Sequence, residues 1–145
     1  MDIEVLRAEE TWQQTGAYYV RIQAMARKHS IPLRREFDEH DGPQTKYIVL
    51  TDSDFPVATC RFYPLDTERA MVGRVVVLPE YRGRGLGKRV LDECERWLRE
   101  LGYRKALIES RDVCVGFYEK QGYTVTENRI IHGDTFDCVP MEKTL

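Results

Sequence analysis

No stretch of this 145-residue chain approaches the roughly 20 consecutive apolar residues that a bilayer-spanning helix needs, so a helical membrane protein is excluded. Cysteine is sparse. Cys60, Cys94, Cys114 and Cys138 stand far apart with no C-x-x-C pair, a spacing that suits neither a zinc site nor a disulfide framework. They read as reduced thiols, and no metal is expected. The opening Met1-Asp2-Ile3-Glu4-Val5 lacks the basic and apolar regions of a secretory leader, which makes the cytoplasm the expected compartment. An excess of positive charge is missing as well. The net charge of -2 and a pI near 6.0 argue against a nucleic-acid partner, whose phosphates a basic face would have to neutralise. Repeats, low-complexity stretches and linkers are also absent, so residues 1–145 are read as one domain.

What is present alternates between strand and helix signals. Ile3 to Arg7 alternates apolar and polar residues as a half-buried strand does, and about Glu10 to Lys28 is rich in helix formers without proline. A charged stretch from Arg34 ends in the breaker Asp41-Gly42-Pro43 and reads as a loop or short helix. Lys46 to Leu50 and Val57 to Tyr63 form a hairpin pattern around Asp52-Ser53-Asp54-Phe55-Pro56, and Met71 to Leu78 adds a strand. Leu86, Val90, Leu91, Cys94, Trp97, Leu98 and Leu101 recur at helical spacing, which predicts an amphipathic helix capped by Gly102. A buried strand at Ala106 to Ile108, a short helix from Cys114 to Gln121, and strands at Tyr123 to Thr126 and Thr135 to Met141 complete the chain. The order predicts an α+β fold with helices packed on a mostly antiparallel mixed sheet of about six or seven strands.

One segment carries chemistry. Val75-Val76-Val77-Leu78-Pro79 runs into Glu80-Tyr81-Arg82-Gly83-Arg84-Gly85-Leu86-Gly87-Lys88, a strand, a breaker, a glycine-rich turn and a helix start. The first amides of a helix have no intrahelical acceptor and its N-terminus carries partial positive charge. A phosphate fits there, and glycines let the backbone curl around it. Arg84, Lys88 and Arg89 add full charges. A Walker A loop would need glycine in place of Arg82 and serine or threonine in place of Arg89. The dinucleotide pattern would need glycine in place of Lys88. Both patterns fail, and R-x-x-G-x-G fits through Arg82, Gly85 and Gly87.

With that turn, the chain resembles the GNAT N-acetyltransferase superfamily, whose acetyl-CoA pyrophosphate loop has the form Q/R-x-x-G-x-G/A. Gly116-Phe117-Tyr118-Glu119-Lys120-Gln121-Gly122-Tyr123 is similar to a later element of that family. Tyr19-Val20-Arg21, Glu36-Phe37-Asp38-Glu39-His40-Asp41 and Val57-Ala58-Thr59-Cys60-Arg61 resemble its ElaA/YjcF-like branch. The resemblance implies acetyl-CoA as co-substrate, a primary amine on a small molecule or peptide as acceptor, and a homodimer as the family-level expectation. It places Val75, Val76 and Val77 beside the pantetheine arm, with an amide near Val77 facing the oxyanion, and Arg82 through Lys88 around the pyrophosphate. Tyr118 is then the proton donor to the departing thiolate. A phenol with a pKa near 10 suits that leaving group better than a carboxyl would. Where the family often carries asparagine, seven residues before that tyrosine, this chain has Arg111.

The general base stays open among Glu109 at the end of its strand, the acidic cluster and a water chain. Glu36 and Asp38 in that cluster are expected to attract a cationic amine, and Arg61 to line the acceptor pocket. His29, His40 and His132 lie in polar surroundings and none is chosen. An acyl-cysteine route lacks a His-Cys arrangement. A GNAT domain that binds acyl-CoA as a sensor without turnover is the alternative function.

Overall fold

The computed structural model describes residues 1–145. Strand β1 (Ile3–Arg7) leads into helix α1 (Thr11–Arg21), whose first turn is closed by a capping box between Glu10 and Gln13. The helix does not run on unbroken to Lys28. A π-helical turn, Ile22–Ala26, intervenes before the last turn, Arg27–His29, and the Arg27 amide reaches back to the Ile22 carbonyl. Ser30 stops the helix in the left-handed conformation. After the short α2 (Leu33–Glu36) come β2 (Lys46–Asp52), β3 (Phe55–Pro64) and β4 (Arg69–Val77). Helix α3 (Leu86–Glu100), β5 (Lys105–Arg111), α4 (Val115–Lys120), β6 (Thr124–Val125), β7 (Ile131–His132) and β8 (Asp137–Thr144) follow.

The eight strands form one sheet in the order β1-β2-β3-β4-β5-β8-β6, with β7 on β8. Every pairing is antiparallel except β4 with β5. The mixed α+β architecture is the predicted one. The additional strand is β7, two residues long and without an apolar pattern of its own.

Because side chains alternate across a strand, the two faces of the sheet recruit different helices. Ile48, Leu50, Cys60, Phe62, Val72 and Ile108 join the buried α3 stripe of Leu86, Val90, Leu91, Cys94, Trp97 and Leu98 in one core, with Phe62 and Trp97 edge to face at 5.4 Å. On the opposite face α1 lies close over the sheet. A Cβ on Gly16 would stand 3.1 Å from that of Pro56, so glycine permits the approach. No helix is long and apolar enough to cross a membrane.

Candidate functional site

Strands β4 and β5 pair in parallel only from Arg69↔Lys105 to Val72↔Ile108. Beyond that register β4 continues through Gly73 to Val77 bonded to β3, and β5 continues through Glu109 to Arg111 bonded to β8. Between them the sheet opens into a wedge with backbone on both walls. A bulge in β4 accompanies the parting: Arg74 sits at φ 51°, an uncommon conformation for a residue with a Cβ. Val75, Val76 and Val77 form the wall on the β4 side.

At the open end of that wall the chain makes a 3₁₀ turn, Pro79–Tyr81, and then the glycine loop. Gly83 (φ 77°) and Gly85 (φ 74°) are both left-handed, and Gly85 is the N-cap of α3, with no side chain capping the helix. The amides of Leu86, Gly87 and Lys88 therefore end α3 without an acceptor, next to the exposed Arg82, Arg84 and Lys88. Lys88 also reaches Asp92, at 2.6 Å. The loop is braced from outside by the Tyr81 hydroxyl, which donates to Asp52 at 2.6 Å, and by Arg84, whose guanidinium lies 5.2 Å from the Tyr81 ring. Anion binding is what such an arrangement offers.

Gly87 joins loop, wall and helix. A Cβ there would lie 3.4 Å from the Phe117 ring and 3.9 Å from Val77. Its small size brings α4, and with it Tyr118, against the end of β4. Tyr118 is 8% exposed, flanked by Phe117 and Tyr123 at ring distances of 5.0 and 5.8 Å, and its hydroxyl has no hydrogen-bond partner in the chain. Burial first, then the nearby Cys114, Cys60 and Cys94 thiols, push its pKa above the ordinary phenol value, so the group is a neutral O–H donor throughout the physiological range.

The acidic run that starts at Glu36 is largely paired with arginines, with the exposed Glu39 as the exception. Glu36 is 2% exposed and accepts from Arg21 Nε at 3.0 Å and Arg74 Nε at 2.9 Å. Arg61, 4% exposed, points inward to Asp38 at 3.1 Å and Asp41 at 2.9 Å. Asp41 also takes bonds from Arg21 and from the Tyr47 hydroxyl, both at 2.7 Å. Burial alone would raise the Asp41 pKa, but the bonds from Arg21 and Tyr47 outweigh it and hold the carboxyl well below the usual range. Three arginines thus neutralise the carboxylates expected to draw in a cation. The physical reason is that Arg21 and Arg61 point inward, with Arg74 partly buried beside them, and a buried charge without a partner is costly.

Glu109 is placed differently. It is the first β5 residue beyond the last β4 pair, exposed and free of ion pairs. Near it, His40 stacks on Tyr63 at 4.3 Å with an interplanar angle of 3°. Arg74 and this stacked pair were not singled out from sequence. A lone Gly-Arg step within a valine strand was the one available signal for the bulge.

The Acetyltransferase (GNAT) family model matches residues 6–123. An uncharacterized acetyltransferase of Streptococcus pyogenes is 31% identical over 110 residues, covering 76% of this chain and 75% of its own. A candidate N-acetyltransferase of Lactobacillus plantarum, 29% identical, superposes with a TM-score of 0.91 over 100% of this chain and 99% of its own. ElaA of Escherichia coli, 18% identical, gives a TM-score of 0.81 over 98% of each chain, a likeness of fold. So does a GNAT acetyltransferase of Elizabethkingia anophelis crystallised with acetyl-CoA, 15% identical, at a TM-score of 0.70 over 99% of each chain.

Proposed function

The chain belongs to the GNAT acetyltransferase family, and on that premise we propose that it is an acetyl-CoA-dependent N-acetyltransferase acting on a primary amine by direct attack, with Tyr118 as general acid. The observation that carries this reading is the parting of β4 and β5 immediately beside an unpartnered, neutral Tyr118 hydroxyl.

In this reading the pantetheine arm lies in the wedge against Val75, Val76 and Val77, held by backbone bonds as an added strand would be. The pyrophosphate rests on the amides of the glycine loop and the charges of Arg82, Arg84 and Lys88. The amine nitrogen loses a proton to Glu109, directly or through water, and attacks the thioester carbonyl. An amide near Val77 stabilises the oxyanion. The C–N bond forms, the C–S bond breaks, the Tyr118 hydroxyl supplies the proton that the departing thiolate takes up, and the second proton shed by the nitrogen restores the phenol by way of solvent. The cytoplasm is the compartment in which this donor is expected.

Calorimetry with acetyl-CoA followed by thiol release across polyamines, amino sugars, amino acids and peptides tests the proposal. Binding together with release from at least one amine is the expected result. Binding without release from any of them would move the protein to the acyl-CoA sensor reading. The loop has its own test, since Gly85→Ala places a Cβ at φ 74°. Left-handed backbone costs a non-glycine residue about 1–2 kcal/mol. The variant is expected to raise the KM for acetyl-CoA about tenfold while kcat at saturation stays within twofold, and an unchanged KM would remove the loop from the cofactor site.

A further inference from the structure

On the α1 side of the sheet, the end of β5 presents Glu109 and Arg111 from the same face, two residues and roughly 7 Å apart along the strand. Neither enters a salt bridge. The Arg111 guanidinium carbon stands 3.8 Å from the centre of the Phe136 ring, and Phe136 meets His29 edge to face at 5.0 Å. Stacking covers one guanidinium face and leaves the in-plane N–H donors as the group's only means of recognition. One of these, Nε, is buried with no acceptor in the chain. The two Nη nitrogens also bond to nothing in the chain and are not enclosed, so they are the donors a ligand can reach.

The surrounding acids do not supply the acceptor. Asp112 takes the Val113 amide at 2.8 Å, and Asp137 lies 3.0 Å from His132 Nδ1. Glu36, Asp38 and Asp41 are engaged by Arg21, Arg61 and Arg74. At His29, after burial, it is Arg111, Lys28 and Arg82 that hold the imidazole below its ordinary pKa. Arg82 belongs to the glycine loop, and Arg111 carries no ion pair of its own.

We propose that Arg111 binds a carboxylate of the acceptor, so that the amine presented to Glu109 belongs to a molecule of the amino-acid or free-C-terminus peptide class. The guanidinium fork, offered through its two Nη groups, matches a carboxylate's two oxygens. Phe136 and His29 form an aromatic wall beside it. A polyamine offers no oxygen to this donor edge, and an amino sugar offers only neutral hydroxyls without a carboxylate's charge and paired oxygens. The assignment rests on the N-acetyltransferase reading and narrows it.

The test follows thiol release with phenylalanine, methionine and glycylglycine against their C-terminal amides, on wild type, Arg111→Gln and Arg111→Lys. Wild type is expected to favour the acids over the amides by tenfold or more in kcat/KM. Arg111→Gln removes that preference and leaves the KM for acetyl-CoA unchanged, and Arg111→Lys, which keeps the charge without the fork, falls between. Amides used as readily as acids overturn the assignment alone. So does a preference that survives in Arg111→Gln while the KM for acetyl-CoA rises, because Arg111 would then serve the cofactor. No release from any acid or amide, with release from a polyamine or amino sugar, also overturns the assignment alone, whereas no release from any amine with acetyl-CoA still bound overturns the enzyme reading as well.

Discussion

Tyr118→Phe is expected to lower kcat by about a hundredfold or more, with acetyl-CoA affinity unchanged. Loss of a positioned general acid typically costs 10²- to 10⁴-fold. The substitution removes one oxygen and keeps the ring, so contacts with Phe117 and Tyr123 at 5.0 and 5.8 Å persist. The hydroxyl bonds to nothing in the chain, so its removal strands no buried partner and the melting temperature should hold. Because the Tyr118 pKa is raised, the group stays protonated from neutral pH past the ordinary phenol value. The pH profile of acetyl transfer between about 6 and 9 therefore reports the amine and its base, and its shape is expected to be the same in the variant. Steady-state thiol release with parallel calorimetry decides the matter. Turnover within twofold of wild type would sink the role.

Glu36→Ala should be the most damaging single change to stability, by about 3–5 kcal/mol, the range for removing one partner from a buried ion pair. Arg21, fully buried, loses the acceptor for its Nε, and Arg74 loses its main anchor. For a chain of this size the melting temperature is expected to fall by roughly 10 °C or more. Glu109→Gln, at an exposed and unpaired position, serves as the control that should shift it little. Acid acts on the same network. The Asp38 and Asp41 pKa values are depressed in the fold, so their contribution is complete above the ordinary carboxylate pKa. It is lost as pH falls through that value toward the folded one, because the unfolded carboxylates take up protons first. A variant as stable as wild type would show that Glu36 is not the hub of the network.

The elements legible in the sequence were those that a local pattern specifies. The α3 stripe, the valine strand, and the glycine loop before the helix each declare themselves within a dozen residues. Each appears within one or two residues of its expected bounds. The pairing of the acidic run is not legible because its partners are remote: Arg21, Arg61 and Arg74 lie 15, 23 and 38 residues from the carboxylates they bind. No periodicity in the run itself records whether a charge faces solvent or an arginine. The π-turn after α1 and the Arg74 bulge are likewise backbone adjustments to packing, made by residues with ordinary propensities. Arg111 was visible as a departure from the family pattern, yet its direction depended on Phe136, 25 positions later and in a segment without a strong pattern.

The wedge between β4 and β5 leaves two sheet edges unpaired in the middle of the protein, where an edge is ordinarily a template for aggregation. Its taper guards against that. A polypeptide strand inserted between two others needs about 4.8 Å on each side, whereas at Val72↔Ile108 the walls are already a single strand spacing apart. An added strand could therefore pair only near the open end, short of the point where the gap falls below twice that spacing. The same narrowing limits how far a strand from another copy of the protein could pair along this interior edge.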